Sequence, residues 1–191
     1  GHTNGIYLRD GVDATSRVAI RGAFSVTSSE PALLVGAAVA GSLAIAGGAF
    51  TSTGAGFKAA DFTLAVTGPV TIAGTSFTSD GTALNFPALQ GSLKITNVVA
   101  TSAALVAVYF VLTGATVVFS GGTFSGETRG MDFFNGIDAG STVTLGGAIT
   151  VNSEQHSLMF STIAGSLAIT GGTFESLATT TGHPCAHFLG A

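Results

Sequence analysis

Apolar residues recur along this chain as short alternating pairs, about one pair in every 25 residues. In each pair, one apolar residue is followed two positions later by another. An apolar side chain at every second position is typical of a β-strand with one buried face. The later members are 23 to 27 residues apart. The pairs are Val18 and Ile20, Leu43 and Ile45, Val70 and Ile72, Leu93 and Ile95, Val117 and Phe119, Val143 and Leu145, and Leu167 and Ile169.

Two further strands are predicted in each repeat. A second strand follows one or two small residues, often Gly-Gly, where glycine lets the backbone bend. Its apolar position is assigned to Phe24, Phe50, Phe77, Phe124, Ile149 and Phe174, with Val99 or Ala100 in the fourth repeat. A third strand is predicted at "FTLAV" (residues 62–66), "ALNFPAL" (83–89), "VAVYFVL" (106–112) and "SLMFSTI" (157–163).

Two long echoes support the repeat. The phrase "GSLAIAGGAF" (residues 41–50) recurs as "GSLAITGGTF" (165–174), with eight of ten positions identical. The phrase "GIYLRDGVDA" (5–14) matches "GMDFFNGIDA" (130–139) in pattern, at an offset of 125 residues. The chain is therefore expected to open inside a third strand, and "CAHFLGA" (185–191) is predicted to form another.

Three short strands in each repeat predict an all-β chain folded as a single-stranded parallel β-helix, or β-solenoid, of about seven coils. Right-handed crossovers are the rule for parallel strands, so we expect a right-handed solenoid. An antiparallel sandwich is the rival, but its tight Asn-Gly or Asp-Gly turns do not recur with the repeat. We expect residues 1–191 to be one β-helix domain, as part of a longer rod or as a unit that stacks end to end.

The composition limits the classes of partner that the protein is expected to bind. Charged residues make up 8% of the chain, against about 25% in ordinary globular domains. The net charge is −4 and the six basic residues are scattered, which argues against nucleic-acid binding. Residues 98–119 are apolar enough for a membrane helix, but the strand repeat runs through them, so we predict no membrane span. A single cysteine excludes an intrachain disulfide.

The phrases "GGAF", "GGTF" and "GGAI" (residues 47–50, 171–174 and 146–149) resemble the Gly-Gly-Ala-Ile repeats of chlamydial polymorphic outer-membrane proteins. They also resemble the β-helical surface proteins of protists and the wider pectate-lyase-like β-helix class. The resemblance implies an extracellular or cell-surface rod, adhesin or wall component. It transfers no site residue, and the companion Phe-X-X-Asn motif is missing.

Candidate catalytic residues are few. Carbohydrate-active β-helices need clustered acids with basic partners. Here Asp10 and Asp13 lie beside Arg9, and Asp132 and Asp138 occupy comparable positions five repeats later. We expect Asp13 and Asp138 to accept backbone N–H groups at corner turns. The sequence therefore predicts no catalytic residue, no cofactor and no enzymatic activity.

One motif has the spacing of metal ligands. His183, Cys185 and His187 alternate, so on a regular strand they would share one face and could bind zinc. Pro184 disturbs such a strand, and a fourth ligand is not evident. We therefore favour an incidental surface cluster, or a cysteine turned into the core, and predict no metal site.

The outward positions suggest a function. With so few charges, the first strands should present a flat face that favours association between molecules. The sequence predicts a non-enzymatic structural or adhesive solenoid of an extracellular surface or filament. It would associate with itself through open coil ends and this face, with surface glycans as a second class of partner. The predicted self-association residues are Ala44, Ala46, Thr71, Ala73, Val118, Ser120, Thr144 and Ala168.

Two alternatives stay open. One is a carbohydrate-binding or polysaccharide-active β-helix. The other is an ice-binding solenoid, since rows of threonine on a flat solenoid face can order water. The outward threonines considered are Thr71, Thr96, Thr142, Thr144 and Thr170, and the row is interrupted by Ala19, Lys94, Val118 and Ala168.

Overall fold

The computed structural model describes residues 4–177 and 184–188, which contain 19 strands and no helix. In chain order the strands are β1 (Ile6–Leu8), β2 (Arg17–Arg21), β3 (Ser25–Ser28), β4 (Leu33–Val35), β5 (Ser42–Ala46), β6 (Ala49–Ser52), β7 (Ala60–Phe62), β8 (Val70–Ala73), β9 (Ser76–Ser79), β10 (Leu84–Leu89), β11 (Ser92–Ser102), β12 (Val106–Leu112), β13 (Thr116–Gly126), β14 (Arg129–Phe133), β15 (Thr142–Ser153), β16 (His156–Phe160), β17 (Ser166–Ile169), β18 (Thr173–Ser176) and β19 (Ala186–Phe188).

Every strand pairs in parallel with its equivalent one coil away, which confirms a parallel β-solenoid of about seven turns. The third strands form one sheet in the order β1-β4-β7-β10-β12-β14-β16-β19. The first strands follow the order β2-β5-β8-β11-β13-β15-β17 in the other sheet, which the second strands join. In coils four to six, the first and second strands merge into the single long strands β11, β13 and β15, of 11 to 12 residues.

We use the word column for residues that occupy the same position in successive coils. The register places Ile20 beside Ile45, Ile45 beside Ile72, and so on to Ile169, in one inward column. The predicted apolar pairs of the first strand are therefore confirmed. Strands β1 and β19 both lie in the third-strand sheet, which confirms the prediction for residues 5–8 and 186–188.

The prediction for the second strand was wrong in two coils. Val26, and not Phe24, pairs with Phe50. Val151, and not Ile149, pairs with Phe124, while Ile149 lies beside Gly122. The cause in the sixth coil is a register shift between Ser120 and Gly122, where β15 contains one additional residue. The motif "GGAI" therefore does not superpose on "GGTF".

Two third strands also differ from the prediction. Strand β7 covers Ala60–Phe62, and Val66 makes only isolated bridges to Val39 and Leu89. The phrase predicted from residue 157 to residue 163 forms a strand that ends at Phe160. In both places strand pairing ends before the predicted last residue of the strand, because the chain turns there towards the next strand. Residues 98–119 lie in β11, β12 and β13, and no helix among the described residues could cross a bilayer.

A stack of phenylalanine rings runs along the third-strand side of the core. Neighbouring ring centroids are 4.4 to 5.6 Å apart and the rings are nearly parallel. All five rings are at most 1% exposed. Because a ring is enclosed only when coils lie both above and below it, stability comes from stacking rather than from any single coil. The members are Phe62, Phe86, Phe110, Phe133 and Phe160.

A residue with positive φ bends each of the first six coils between its first and second strands. Five coils use glycine, which adopts positive φ without a steric cost. The fourth coil uses Asn97, with φ of 50°, and asparagine is the residue that tolerates this region best after glycine. The prediction that small residues make this bend is confirmed. The glycines are Gly22, Gly47, Gly74, Gly121 and Gly147.

A second corner, between the second and third strands, is built by inward serines. Ser79 Oγ donates to the Gly81 carbonyl at 2.8 Å, and Ser102 Oγ accepts the Leu105 N–H at 2.9 Å. These short-range bonds satisfy backbone groups where the ladder is interrupted. The serines at this position are Ser28, Ser52, Ser79, Ser102, Ser153 and Ser176, with Gly126 in the fifth coil.

Candidate functional site

The solenoid presents three outward faces, one for each strand of the coil, and their chemistry differs. On the first-strand face, the structure brings all eight predicted self-association residues into two neighbouring columns. One column contains Ala44, Thr71, Val118, Thr144 and Ala168, and the other contains Ala46, Ala73 and Ser120. Seven are half-buried and Thr71 is exposed. Lys94 lies in the first of these columns and Arg21 in the second. Whether this face mediates self-association stays a prediction.

The threonines considered for ice binding do not form one row. Thr71 and Thr144 share a column, Thr96 lies in the adjacent column and Thr142 lies in a third. These threonines therefore do not form a single row, although Thr142 lies in an exposed column with Ser92, Thr116 and Ser166.

The second-strand face carries a two-column array of outward residues that was not predicted, because the apolar pattern of the sequence marks only the inward position. Two outward columns flank the inward one. The first contains Ser25, Ala49, Ser76, Val99, Thr123, Thr150 and Thr173, and the second contains Thr27, Thr51, Thr78, Thr101, Ser125, Asn152 and Glu175.

The third-strand face collects ionisable and aromatic side chains from coils far apart in sequence. Asp61, Asn85, Tyr109 and Asp132 occupy one column. Asn85 Nδ2 donates to Asp61 Oδ1 at 2.7 Å, and Lys58 Nζ lies 3.0 Å from Asp61 Oδ2. The Tyr109 ring lies 5.7 Å from that of Phe134, which is more than half exposed. The residues of this column are far apart in the sequence, so the sequence alone did not reveal that they are neighbours.

Asp132 is the most deeply buried acid of this column, with 1% of its surface exposed. Burial raises the pKa of its carboxyl group, and the paired Arg129 guanidinium opposes that shift. Burial also raises the pKa of Tyr109, and the neighbouring Asp132 charge adds to the increase. Asp61 and Asp132 are three coils apart, about 14 Å at the usual strand spacing. That exceeds the separation of the two carboxyl groups in retaining or inverting glycosidases.

The other acids singled out from the sequence serve turns, as predicted. Asp13 Oδ1 accepts the N–H of Thr15 at 3.0 Å. Asp138 accepts the N–H of Gly114, one coil below, at 3.1 Å and also the hydroxyl of Ser141. These hydrogen bonds lower the pKa of both carboxyl groups, chiefly through Thr15 and through Ser141.

The predicted metal-ligand motif is only partly visible. His183 lies outside the described residues, and Cys185 is exposed. The His187 ring lies 4.8 Å from that of His156, whose Nδ1 contacts the Pro184 carbonyl at 3.1 Å. Within residues 4–177 and 184–188, no three His, Cys, Asp or Glu side chains are arranged to hold a metal ion.

A cavity of about 350 Å³ opens at the serine corner of coils four to six. Glu127 and Glu154 line it from adjacent coils, and the Glu154 N–H donates to the Glu127 carbonyl at 3.0 Å. Asn152 and Ser153 also line it, and their Oδ1 and Oγ atoms are buried without a hydrogen-bond partner. Because two glutamates line it, this cavity suits a neutral or cationic ligand better than an anionic sugar chain.

Comparison with protein-family models, with curated proteins and with solved structures finds no match for this chain. The fold is therefore established by the strand register alone.

Proposed function

We propose that this protein is a non-enzymatic structural β-solenoid that assembles end to end with copies of itself. One observation carries the proposal. Within the described residues, β1, β2 and β3 each pair with a neighbouring strand on one side only. Val18 and Ile20 are the inward residues of β2, in the first coil, and both are half-buried. Their equivalents in the second coil, Leu43 and Ile45, are 0% exposed.

An open coil combines unpaired backbone groups with uncovered apolar side chains, and both favour the addition of another coil. Strands β17, β18 and β19 also pair on one side only within the described part of the chain. Stacking of one copy's last coil on the next copy's first is a head-to-tail contact, which generates open filaments. Arg17 and Arg21 are the first and last residues of β2 and are exposed, so their charges would limit pairing of this edge with unsuitable strands.

The weakly charged first-strand face supports lateral packing between such filaments. An extracellular or cell-surface location, and an adhesive role there, belong to the same proposal. They rest on the resemblance of the Gly-Gly phrases to those of polymorphic outer-membrane and protist surface proteins. Glycan binding is a second candidate, favoured by the acidic cavity at Glu127 and Glu154 and testable on an array of neutral glycans.

Sedimentation velocity and negative-stain microscopy test the assembly. The wild-type chain should form end-to-end particles whose length grows with concentration. Ile20→Lys places a charge in the open inward column and should leave monomers. Ala19→Lys, one residue away on the outward face, is the matched control and should still assemble. Wild-type protein that stays monomeric at high concentration, or equal assembly by the Ile20→Lys protein, would overturn the proposal.

A further inference from the structure

The second-strand face is a two-column array of hydroxyl groups. Of its 14 positions, ten hold serine or threonine, and only Glu175 is charged. Thr27, Thr51, Thr78 and Thr101 follow one another without interruption in four successive coils. The parallel register therefore repeats a hydroxyl about every 4.8 Å along the solenoid, with the second column about 6.6 Å away along the strand.

These hydroxyls are not used by the protein itself. Among the described residues, none of the ten makes a side-chain hydrogen bond within the chain. By contrast, threonines outside the array do: Thr63 Oγ1 donates to the Val35 carbonyl at 3.1 Å and Thr75 Oγ1 to the Gly47 carbonyl at 3.1 Å. The array is thus a set of free donors and acceptors held on a regular sheet.

The array is also preorganised. Threonine has few χ1 rotamers because it is branched at Cβ, so ordering its hydroxyl costs little entropy. In coils four to six these residues lie on the long continuous strands β11, β13 and β15, which fix their spacing. Each threonine also presents a methyl group beside its hydroxyl, so the face alternates apolar and hydrogen-bonding patches.

We propose that the second-strand face binds ice. A surface with a repeat in two directions recognises best a ligand with a similar repeat, and the array's spacings lie close to those between water oxygens on the faces of an ice crystal. Waters ordered along the free hydroxyls would join the crystal by hydrogen bonds nearly as favourable as direct ones. The near absence of charge matters, because a charged group would orient its hydration shell away from the ice lattice.

A crystalline polysaccharide is the other repeating ligand to weigh. Sheet faces that hold sugar rings do so largely with exposed aromatic side chains. Here Phe50, Phe77 and Phe124 of the second strands all point inward and are 0% exposed. The hydroxyl array contains no aromatic residue, so the observations favour ice.

The experiment uses the whole chain with the Ile20→Lys change, so that end-to-end assembly neither causes nor masks the effect. Thr78→Lys combined with Thr101→Lys places two charges in the middle of the array. Thr71→Lys, an exposed threonine on the first-strand face, is the matched control. Circular dichroism establishes that all three proteins keep the same fold.

Ice recrystallisation inhibition and partition into a growing ice hemisphere are then measured. The parent and the Thr71→Lys protein should be active and enter the ice, and the Thr78→Lys, Thr101→Lys protein should fall to the level of an inert protein. The proposal is overturned if the parent is inactive, if the double variant keeps its activity, or if the parent binds insoluble cellulose or chitin but not ice. None of these outcomes depends on whether the unaltered chain assembles.

Discussion

At the scale of single residues, the fold depends on side chains that turn the chain between straight segments. The positive φ of Asn97 shows that the bend requires a left-handed residue rather than glycine itself. At the other corner, the hydroxyl groups of Ser28, Ser79 and Ser102 each satisfy a backbone group two or three residues away. The role of Asp13 was predictable from sequence because its partners are local. The contact of Asp138 with Gly114 was not, because it joins residues 24 positions apart.

Asp138 makes stability depend on pH. Its pKa is lowered from the ordinary value of 3.8, chiefly by the Ser141 hydroxyl. A carboxyl group whose pKa is lower in the folded state contributes stability above its unfolded pKa, and loses it as the pH falls through the folded value. Asp138→Asn should therefore be less stable than the wild type at neutral pH, and the difference should shrink below about pH 4.

Urea unfolding of both proteins, at neutral pH and at about pH 3, measures this difference. The comparison isolates Asp138 because Asp132, whose pKa is shifted upward, is present in both proteins. A stability difference that stays constant across this range would contradict the assigned role.

At the scale of strands, the accuracy of the prediction followed from the strength of the local pattern. The first strands were placed correctly because all but one have two apolar residues around a small or polar one, the exception being Val118. The second strands were misplaced in coils one and six because an additional residue follows the bend, and a nearby Phe24 or Ile149 matched the motif better than Val26 or Val151 did. Strand β7 was misplaced because its buried Ala60 is weakly apolar.

The phenylalanine stack gives a test at this scale. Phe86 lies between Phe62 and Phe110, with ring centroids at 4.4 and 5.6 Å, so removing it leaves a cavity that no neighbour can fill. We expect Phe86→Ala to lower the free energy of unfolding by about 3 to 5 kcal/mol.

Phe174→Ala is the control, because Phe174 is half-buried in the last coil. Its cost should be less than half that of Phe86→Ala, since less apolar surface is lost from the interior. Urea denaturation of the two variants measures both values. Equal losses would show that the interior does not depend on stacking from both sides.

At the scale of the whole molecule, the stacking converts a linear repeat into three faces of different chemistry. The sequence predicted the solenoid and its first-strand face but not the other two faces, because each column joins residues whose spacing varies from coil to coil. Asp61, Asn85, Tyr109 and Asp132 are neighbours only through the register. The same holds for the hydroxyl array, in which Thr51 and Thr78 are adjacent although 27 residues separate them.

All three outward faces depend on the in-register stacking of the coils, which pulsed electron paramagnetic resonance measures directly. Cys185 is replaced by serine, and pairs of spin labels are placed in one outward column of the first-strand face. Ala44 and Val118 are three coils apart, and Ala44 and Ala168 are five coils apart. Their separations should be about 14 and 24 Å, a difference of about 10 Å. Equal separations, or a shorter one for the Ala44 and Ala168 pair, would contradict the solenoid and every surface derived from it.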